Sequence, residues 1–166
     1  WSRETPRRRW DPARRLVRTL RDHAAVAGGP LARLRRRAIA VRHRAWSVVT
    51  GADLPLGTRI GGGLVLPHPS GVVIHPAVVI GPNCTIFQQV TLGTTRGRPG
   101  VPALGGHVDN GPGARGLGPV RIGDHAVVGA TAVVLRDVPA GATAVGVPAR
   151  VLPGASAPGA ISENRT

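Results

Sequence analysis

A histidine and an aspartate 15 residues apart are the residues of this sequence best suited to acid–base chemistry. His68 lies between Pro67 and Pro69, and Asp53 precedes it in the segment TGADLP. An imidazole has a pKa near neutrality, so it can take a proton from a hydroxyl group. The residues alone leave a second interpretation open for each. His68 can be a corner residue held by its prolines, and Asp53 can cap a turn.

Other reactive side chains are few. Cys84 is the single cysteine, which excludes an internal disulfide framework and a cysteine-based zinc site. No cluster of acidic and histidine residues indicates a metal ion, so we expect none. His75 and His125 are interpreted as surface residues rather than catalysts.

The positive charge is concentrated at one end of the chain. All 22 basic residues are arginine, and residues 1–50 hold 14 of them against three acidic residues, a net charge of +11. Such an arm could bind nucleic acid or anionic lipid. We favour the interpretation that these arginines lie on the solvated faces of short helices, because the arm has no recognised nucleic-acid motif and no interleaved aromatic residues. No apolar run approaches the ~20 residues of a membrane span, and a cytoplasmic location is predicted.

The composition limits the kind of core that the 166 residues can form. Aromatic residues make up 2% of the chain, whereas 42% of the residues are hydrophobic, and there are 24 Gly and 16 Pro. The low aromatic content excludes an ordinary core built around large rings. The hydrophobic content argues against disorder throughout the chain.

Two helices are predicted in residues 1–50. Asp11 and Pro12 form a helix start before a helical pattern over 11–26, and Gly28-Gly29-Pro30 ends it. A second helix is predicted over 31–49. It carries an apolar stripe at helical spacing, formed by Leu31, Leu34, Ala38, Val41, Ala45 and Val48. Residues 1–50 are therefore predicted to form an Arg-rich helical unit.

After Gly51 the pattern changes to an apolar residue at every sixth position. A six-residue repeat with a corner after each short strand closes a triangular coil of 18 residues, and stacked coils pair strands about 4.7 Å apart. Narrow coils need aliphatic side chains, which explains the scarcity of aromatic residues. The repeating residues are Leu54, Ile60, Leu66, Ile74, Ile80, Ile86, Leu92, Ile122, Val128 and Val134. The sequence therefore predicts a mainly β fold, a parallel β-helix, over 51–152.

Two irregularities interrupt this repeat. Ile74 lies eight positions after Leu66 instead of six, so the segment around PHPSGVV carries a two-residue insertion. Ile122 lies 30 positions after Leu92, the residues between them are rich in Gly, Pro and Arg, and we predict an extruded loop over 94–121. The tail 153–166 is predicted to be disordered.

The repeat and its interruptions resemble the hexapeptide-repeat acyltransferases. Within them the chain is most similar to the serine O-acetyltransferase type and related polysaccharide O-acetyltransferases, through LPHPSGVVIHPAVVIGPNCTIFQQVTLG (66–93) and VGATAVVLRDVPAGATAVGVPARV (128–151). The resemblance implies a left-handed β-helix that uses acetyl-CoA or another acyl-CoA as co-substrate, with no permanently bound cofactor. It also implies a homotrimer with active sites between subunits, and in some members a dimer of trimers through N-terminal helices.

The resemblance gives the two candidate residues catalytic roles. His68 aligns with the catalytic histidine of the family, which acts as general base on the acceptor hydroxyl. In the serine acetyltransferases an aspartate at the spacing of Asp53 pairs with that histidine. Such a carboxylate fixes the tautomer of the imidazole and stabilises the imidazolium formed during transfer.

The sequence departs from the serine-specific members where they hold the acceptor. Those members carry Asp-His where this chain has Pro67-His68, and an Arg-His pair in the loop leading into the next coil, which we match to 117–120 (LGPV). The charges hold the two ends of an amino acid, so we expect free serine to be a poor acceptor here. Candidate replacements from the long loop are His107, Arg115 and Arg121.

The donor is expected to lie in the groove between adjacent β-helices. Small residues let backbone N–H groups approach the pantetheine chain and the phosphates, and arginines suit the phosphates. The candidate CoA-binding residues are Gly93, Thr94, Thr95, Gly129, Ala130, Thr131, Arg136 and Arg150.

The sequence thus favours a CoA-dependent O-acyltransferase that acts on a small-molecule hydroxyl. Two alternatives remain open at this point. One is an ordinary serine O-acetyltransferase of cysteine biosynthesis. The other is a noncatalytic β-helix scaffold whose basic arm binds an anionic polymer or a partner.

Overall fold

The computed structural model describes residues 2–6 and 10–152. A short 3-10 helix, Ser2–Glu4, and two α-helices precede a stack of short strands. The tail 153–166, predicted to be disordered, lies outside the described residues.

The two helices begin and end near the predicted residues. Helix α1 runs over Pro12–Ala24, and the Asp11 carboxylate caps it by accepting from the backbone N–H of Arg14 at 3.3 Å. Helix α2 runs over Ala32–Thr50 and ends at Gly51, whose φ of 65° is a left-handed conformation that suits glycine. Both helices therefore begin and end within a few residues of the positions that the sequence predicts.

The strands form three parallel sheets that are the three faces of a prism. The chain passes from sheet A to sheet B to sheet C and back to sheet A, so each circuit is one coil. Sheet A contains β2, β5, β8 and β11, sheet B contains β1, β3, β6 and β9, and sheet C contains β4, β7, β10, β12 and β13. The strands are β1 Arg59–Ile60, β2 Val73–Ile74, β3 Val79–Ile80, β4 Thr85–Ile86, β5 Thr91–Gly93, β6 Ala103–Leu104, β7 Asp109–Asn110, β8 Arg115–Leu117, β9 Arg121–Ile122, β10 Val127–Val128, β11 Val133–Val134, β12 Thr143–Val145 and β13 Arg150–Leu152. Only β13, which pairs with β12, is antiparallel to its neighbour.

The interior is a set of aliphatic stacks, one behind each sheet. Ile60, Ile80, Leu104 and Ile122 lie in register across sheet B, and the last three are at most 4% exposed. Backbone bonds join coil to coil, as from the Thr85 N–H to the Val108 carbonyl at 2.9 Å. The predicted parallel β-helix is confirmed.

The predicted extruded loop over 94–121 is wrong, because most of this segment forms ordinary coil. Strands β6, β7 and β8 lie within it, and the inward positions continue at six-residue spacing from Leu104 to Ile122. The repeat was hidden because the inward residues here are Asn110 and Gly116 rather than aliphatic residues. Only residues 94–102 leave the coil.

The amino-terminal segment is fastened to the first coil by a buried carboxylate. Glu4 accepts from the backbone N–H groups of Gly63 and Leu64 at 2.6 and 2.9 Å and from two guanidinium nitrogens of Arg21. Burial alone would raise the pKa of Glu4, but Arg21 and the two N–H groups outweigh it and lower the pKa. Arg21 also donates to the Ile60 and Gly61 carbonyls, so α1 is held against the same coil.

Replacing Asn110 by valine should stabilise the protein. Asn110 is 1% exposed, its Nδ2 has no hydrogen-bond partner among the described residues, and its neighbours in the stack are Ile86 and Val128. Removing a buried unpaired amide should add about 1–3 kcal/mol to the free energy of unfolding. Urea unfolding at fixed protein concentration measures this, with Val128→Asn as the control expected to lower stability. A lower midpoint for Asn110→Val would contradict this account of the interior.

Candidate functional site

His68 lies at the corner between sheet C and sheet A, where the first coil passes into the second. Its corner holds the two-residue insertion and is tied to the coils on both sides. The Gly71 N–H donates to the Gly51 carbonyl at 2.8 Å, and the Gln89 N–H donates to the Ser70 carbonyl at 2.9 Å. The His68 side chain is exposed and makes no hydrogen bond to any residue that the structure describes. The ring is thus free to meet a substrate from solvent.

Asp53 lies at the start of sheet A, beside the end of the same corner. It pairs with Val73 in parallel, donating from its N–H to the Val72 carbonyl at 2.8 Å. Its carboxylate is exposed and forms no ion pair with His68 within the described part of the chain. Both residues therefore belong to one edge of the prism, and their pairing stays a prediction.

A buried histidine that sequence analysis missed fixes the strand start next to Asp53. His43 of α2 donates from Nε2 to the Leu54 carbonyl at 2.8 Å, and its Nδ1 lies 2.7 Å from the Thr19 hydroxyl oxygen of α1. Burial lowers the pKa of His43, more than the Leu54 bond and the Asp53 charge raise it. The neutral ring thereby links both helices to the residue after Asp53. Its only sequence signal is its position on the side of α2 opposite the apolar stripe, which it shares with Ser47 and Thr50.

Gln88 is a second residue that sequence analysis missed. It lies at the C–A corner one coil after His68, and its carbonyl accepts from the Gly113 N–H at 2.8 Å. Its side-chain Oε1 is buried and has no hydrogen-bond partner among the described residues. A buried oxygen of this kind can accept a hydrogen bond from a ligand at the corner. The Gln-Gln pair in IFQQV was a usable signal, since most corners carry Gly or Pro.

The three candidate acceptor-binding residues do not come together on one chain. His107 lies at the B–C corner, where its ring stacks on that of His125 with centroids 4.6 Å apart. Arg115 lies outward on sheet A, and Arg121 lies outward on sheet B. The expectation that one long loop carries them over the acceptor is wrong, because strands β7, β8 and β9 hold them on different sides of the prism.

The segment that does leave the coil is 94–102, at the A–B corner. A bridge between Thr95 and Arg98 closes it, and the Arg98 guanidinium donates to the Leu135 carbonyl at 2.6 Å. The segment 117–120, which we matched to the Arg-His pair of serine-specific members, lies at the A–B corner one coil later and does not leave the coil. The loop ends in Gly100-Val101-Pro102, with Arg96 and Arg98 before it. The cations of the segment that leaves the coil are therefore Arg96 and Arg98 and not the predicted His107, Arg115 and Arg121.

The candidate donor-binding residues fall into two groups. Gly129, Ala130 and Thr131 lie at the C–A corner, three coils from the corner of His68, which is about 14 Å at the spacing of β-strands. The other group lies at or near the A–B corner. Gly93 ends β5, and Thr94 and Thr95 begin the 94–102 loop. Arg136 and Arg150 line a cavity of about 320 Å³ at the carboxyl end of the prism. The structure thus brings the two arginines together.

The sequence of this chain was compared with those of known proteins and protein families. No protein-family model matches the chain. It is 43% identical over 107 residues to a serine acetyltransferase of Synechococcus elongatus, covering 63% of this chain and 44% of that protein. It is 41% identical over 123 residues to a serine acetyltransferase of Mycobacterium tuberculosis, covering 73% of this chain and 52% of that protein.

Solved structures agree with the sequence relatives. A soybean serine acetyltransferase complexed with serine superposes with a TM-score of 0.69 and 39% identity, covering 82% of this chain and 56% of that one. This chain spans about half the length of these relatives. No helix among the described residues is long and apolar enough to cross a membrane. By sequence and by fold, the chain is a hexapeptide-repeat, left-handed β-helix protein of the serine acetyltransferase-like type.

Proposed function

We propose that this chain supplies the β-helix of an O-acyltransferase, which moves an acetyl or related acyl group from acyl-CoA to the hydroxyl group of a small molecule. The observation that carries the proposal is the placement of His68. It is an exposed imidazole on the one C–A corner that has extra residues, and backbone bonds to Gly51 and Gln89 hold that corner rigid. The similarity to serine acetyltransferases supports the same activity.

His68 acts as the general base in this proposal. Its imidazole takes the proton of the acceptor hydroxyl as the oxygen attacks the thioester carbonyl. The tetrahedral intermediate collapses, the C–S bond breaks, and the imidazolium returns the proton to the departing CoA thiolate. Asp53 is a positioning residue, whose carboxylate orients the ring and stabilises the imidazolium.

The donor lies along the C–A corner, with its thioester beside His68. The small residues Gly113 and Gly129–Thr131 leave room for the pantetheine chain on that edge. Arg136 and Arg150, which share the cavity at the carboxyl end, are the groups proposed for the phosphates. CoA is a co-substrate here, not a resident cofactor.

We also propose that the chain works as a homotrimer in the cytoplasm, with sites between subunits. Outward-facing valines on the sheets support an association of faces, since Val73, Val127 and Val145 are 43%, 41% and 37% exposed. A neighbouring subunit would then supply the second wall of the groove. Use of acyl-CoA favours the proposed location.

Removing the imidazole of His68 should abolish most of the activity. We expect His68→Ala to lower kcat by about 10²–10⁴-fold, because general-base catalysis is worth that much. Asp53→Asn should lower kcat less, since the ring remains but loses its orienting charge. Thiol release from acetyl-CoA with a panel of alcohols measures both.

The matched control is His125→Asn, an exposed histidine at the B–C corner where asparagine tolerates the same left-handed backbone. It should keep the wild-type rate. Equal loss in both histidine variants would contradict a specific role of His68. No thiol release and no CoA binding by the wild type would support the noncatalytic scaffold instead. Wild-type turnover by Asp53→Asn at all pH values would show that Asp53 only caps a turn.

The acceptor should lack an ammonium group. Pro67 stands beside His68 where serine-specific members carry a carboxylate, and Asp53 is the only acidic residue of the described chain on sheet A or its C–A corner. If the Asp53 carboxylate pairs with His68, the ammonium group of serine would lose its water without gaining an anionic partner. Arg96, in contrast, is exposed and available to a carboxylate of the acceptor. We predict a lower kcat/KM for free serine than for sugars or amine-free hydroxy acids. A kcat/KM for serine about tenfold above those of the other alcohols would contradict this and indicate an ordinary serine acetyltransferase.

A further inference from the structure

Helix α2 exposes an apolar face that points away from the other residues that the structure describes. Its buried side chains are His43 and Thr50, which face α1 and the first coil. The opposite side carries what we call the α2 seam. It consists of Leu31, Leu34, Ala38, Val41, Ala45 and Val48. All six are exposed, and the four large side chains are 59%, 66%, 72% and 74% exposed in chain order.

The spacing of the seam is that of a helix–helix contact. Its members follow one another at alternating intervals of three and four residues, a repeat of 3.5 that keeps a seam facing a partner helix. Ala38 and Ala45 alternate with larger residues. Small residues at every second position let a second helix approach closely and seat its own side chains between the valines.

The seam is bordered on both sides by positive charge. Arg35 and Arg42 lie along one border, and Arg37 and Arg44 lie along the other. Arg42 is paired with Asp22, whereas the other three form no ion pair with any residue that the structure describes. Helix α2 itself contains no acidic residue. The surface therefore combines an apolar centre with cationic borders in which Arg42 is the one arginine that a described acidic residue neutralises.

These borders argue against a second copy of α2 as the occupant. In a parallel pair Arg37 would face Arg42 of the other helix, and in an antiparallel pair each border would face itself. Like charges so placed are destabilising. The complement of this surface is a helix with an apolar seam bordered by carboxylates.

A cavity at the amino-terminal end of the seam extends the surface. It has a volume of about 510 Å³ and lies in the turn between α1 and α2. Val26, Pro30 and Leu31 give it apolar walls, and Arg35 lies at its edge. A helix lying along the seam could place a bulky side chain in this cavity, beyond the last turn of contact with α2.

We propose that the α2 seam binds an amphipathic helix of a partner protein, with an apolar heptad seam and glutamate or aspartate along its borders. An anionic membrane is the less suitable occupant. Interfacial helices insert large residues such as Trp, Phe and Leu, whereas the centre of this seam is Ala38, Val41 and Ala45. The inference is independent of the proposed acyl transfer.

The test uses a synthetic peptide of about three heptads, with leucine at the seam positions and glutamate along both borders. A fluorescent label on the peptide reports binding to the whole chain by anisotropy at near-physiological salt. We expect saturable binding, and binding roughly tenfold weaker for a peptide of the same composition in scrambled order. Ala38→Glu should weaken binding of the ordered peptide by a similar factor.

Ala40→Glu is the matched control, because Ala40 is also exposed on α2 but lies off the seam. It adds the same charge and should leave binding within about twofold, with unchanged helical circular dichroism in both variants. Equal binding of the scrambled peptide would overturn the proposal in favour of charge attraction alone. Seam-dependent binding to phosphatidylserine vesicles without peptide binding would assign the face to a membrane. Self-association that Ala38→Glu abolishes would assign it to a second copy.

Discussion

The narrow interior of the prism is the constraint on which the rest of the structure depends. Each coil places one large inward side chain behind each sheet, as Ile80, Leu104 and Ile122 do in register across sheet B. A second buried residue, such as Val78, lies two positions earlier. Because backbone bonds tie every coil to the next, an extra residue cannot stay within a strand. It must leave at a corner. The two insertions therefore lie at corners, over 67–73 and 94–102, and these corners carry His68 and the cationic loop.

The sequence predicted this architecture where the inward residue is aliphatic and failed where it is not. Asn110 and Gly116 interrupt the apolar signal, so the coil formed by β6, β7 and β8 was interpreted as loop. The small residues Val108 and Ala114, each two positions earlier, kept the pattern and would have revealed it. His68 could be found through its insertion. Gln88 had a usable signal in the Gln-Gln pair. His43 and Glu4 could not be recognised, because their roles depend on partners distant in the sequence, such as Leu54 and Gly63.

Helices α1 and α2 support the site through buried side chains, and α2 leaves its opposite side exposed. His43 joins α1 and α2 to the Leu54 carbonyl, directly after Asp53, so a disturbance of the helix pair would reach the carboxylate proposed to orient His68. The other side of α2 makes no such contact with the part of the chain that the structure describes. One helix thus supports the site on its buried side and offers the α2 seam on its exposed side.

The central claim is that the C–A corner is where the acyl donor meets the chain. Amide chemical-shift changes on titration with CoA test it most directly, because each corner contributes resolved positions. The account predicts changes at 67–71, 111–113 and 129–131, retained in His68→Ala, together with changes near Arg136 and Arg150. Changes confined to the B–C corner around His107 and His125, or no changes along the C–A corner, would contradict it.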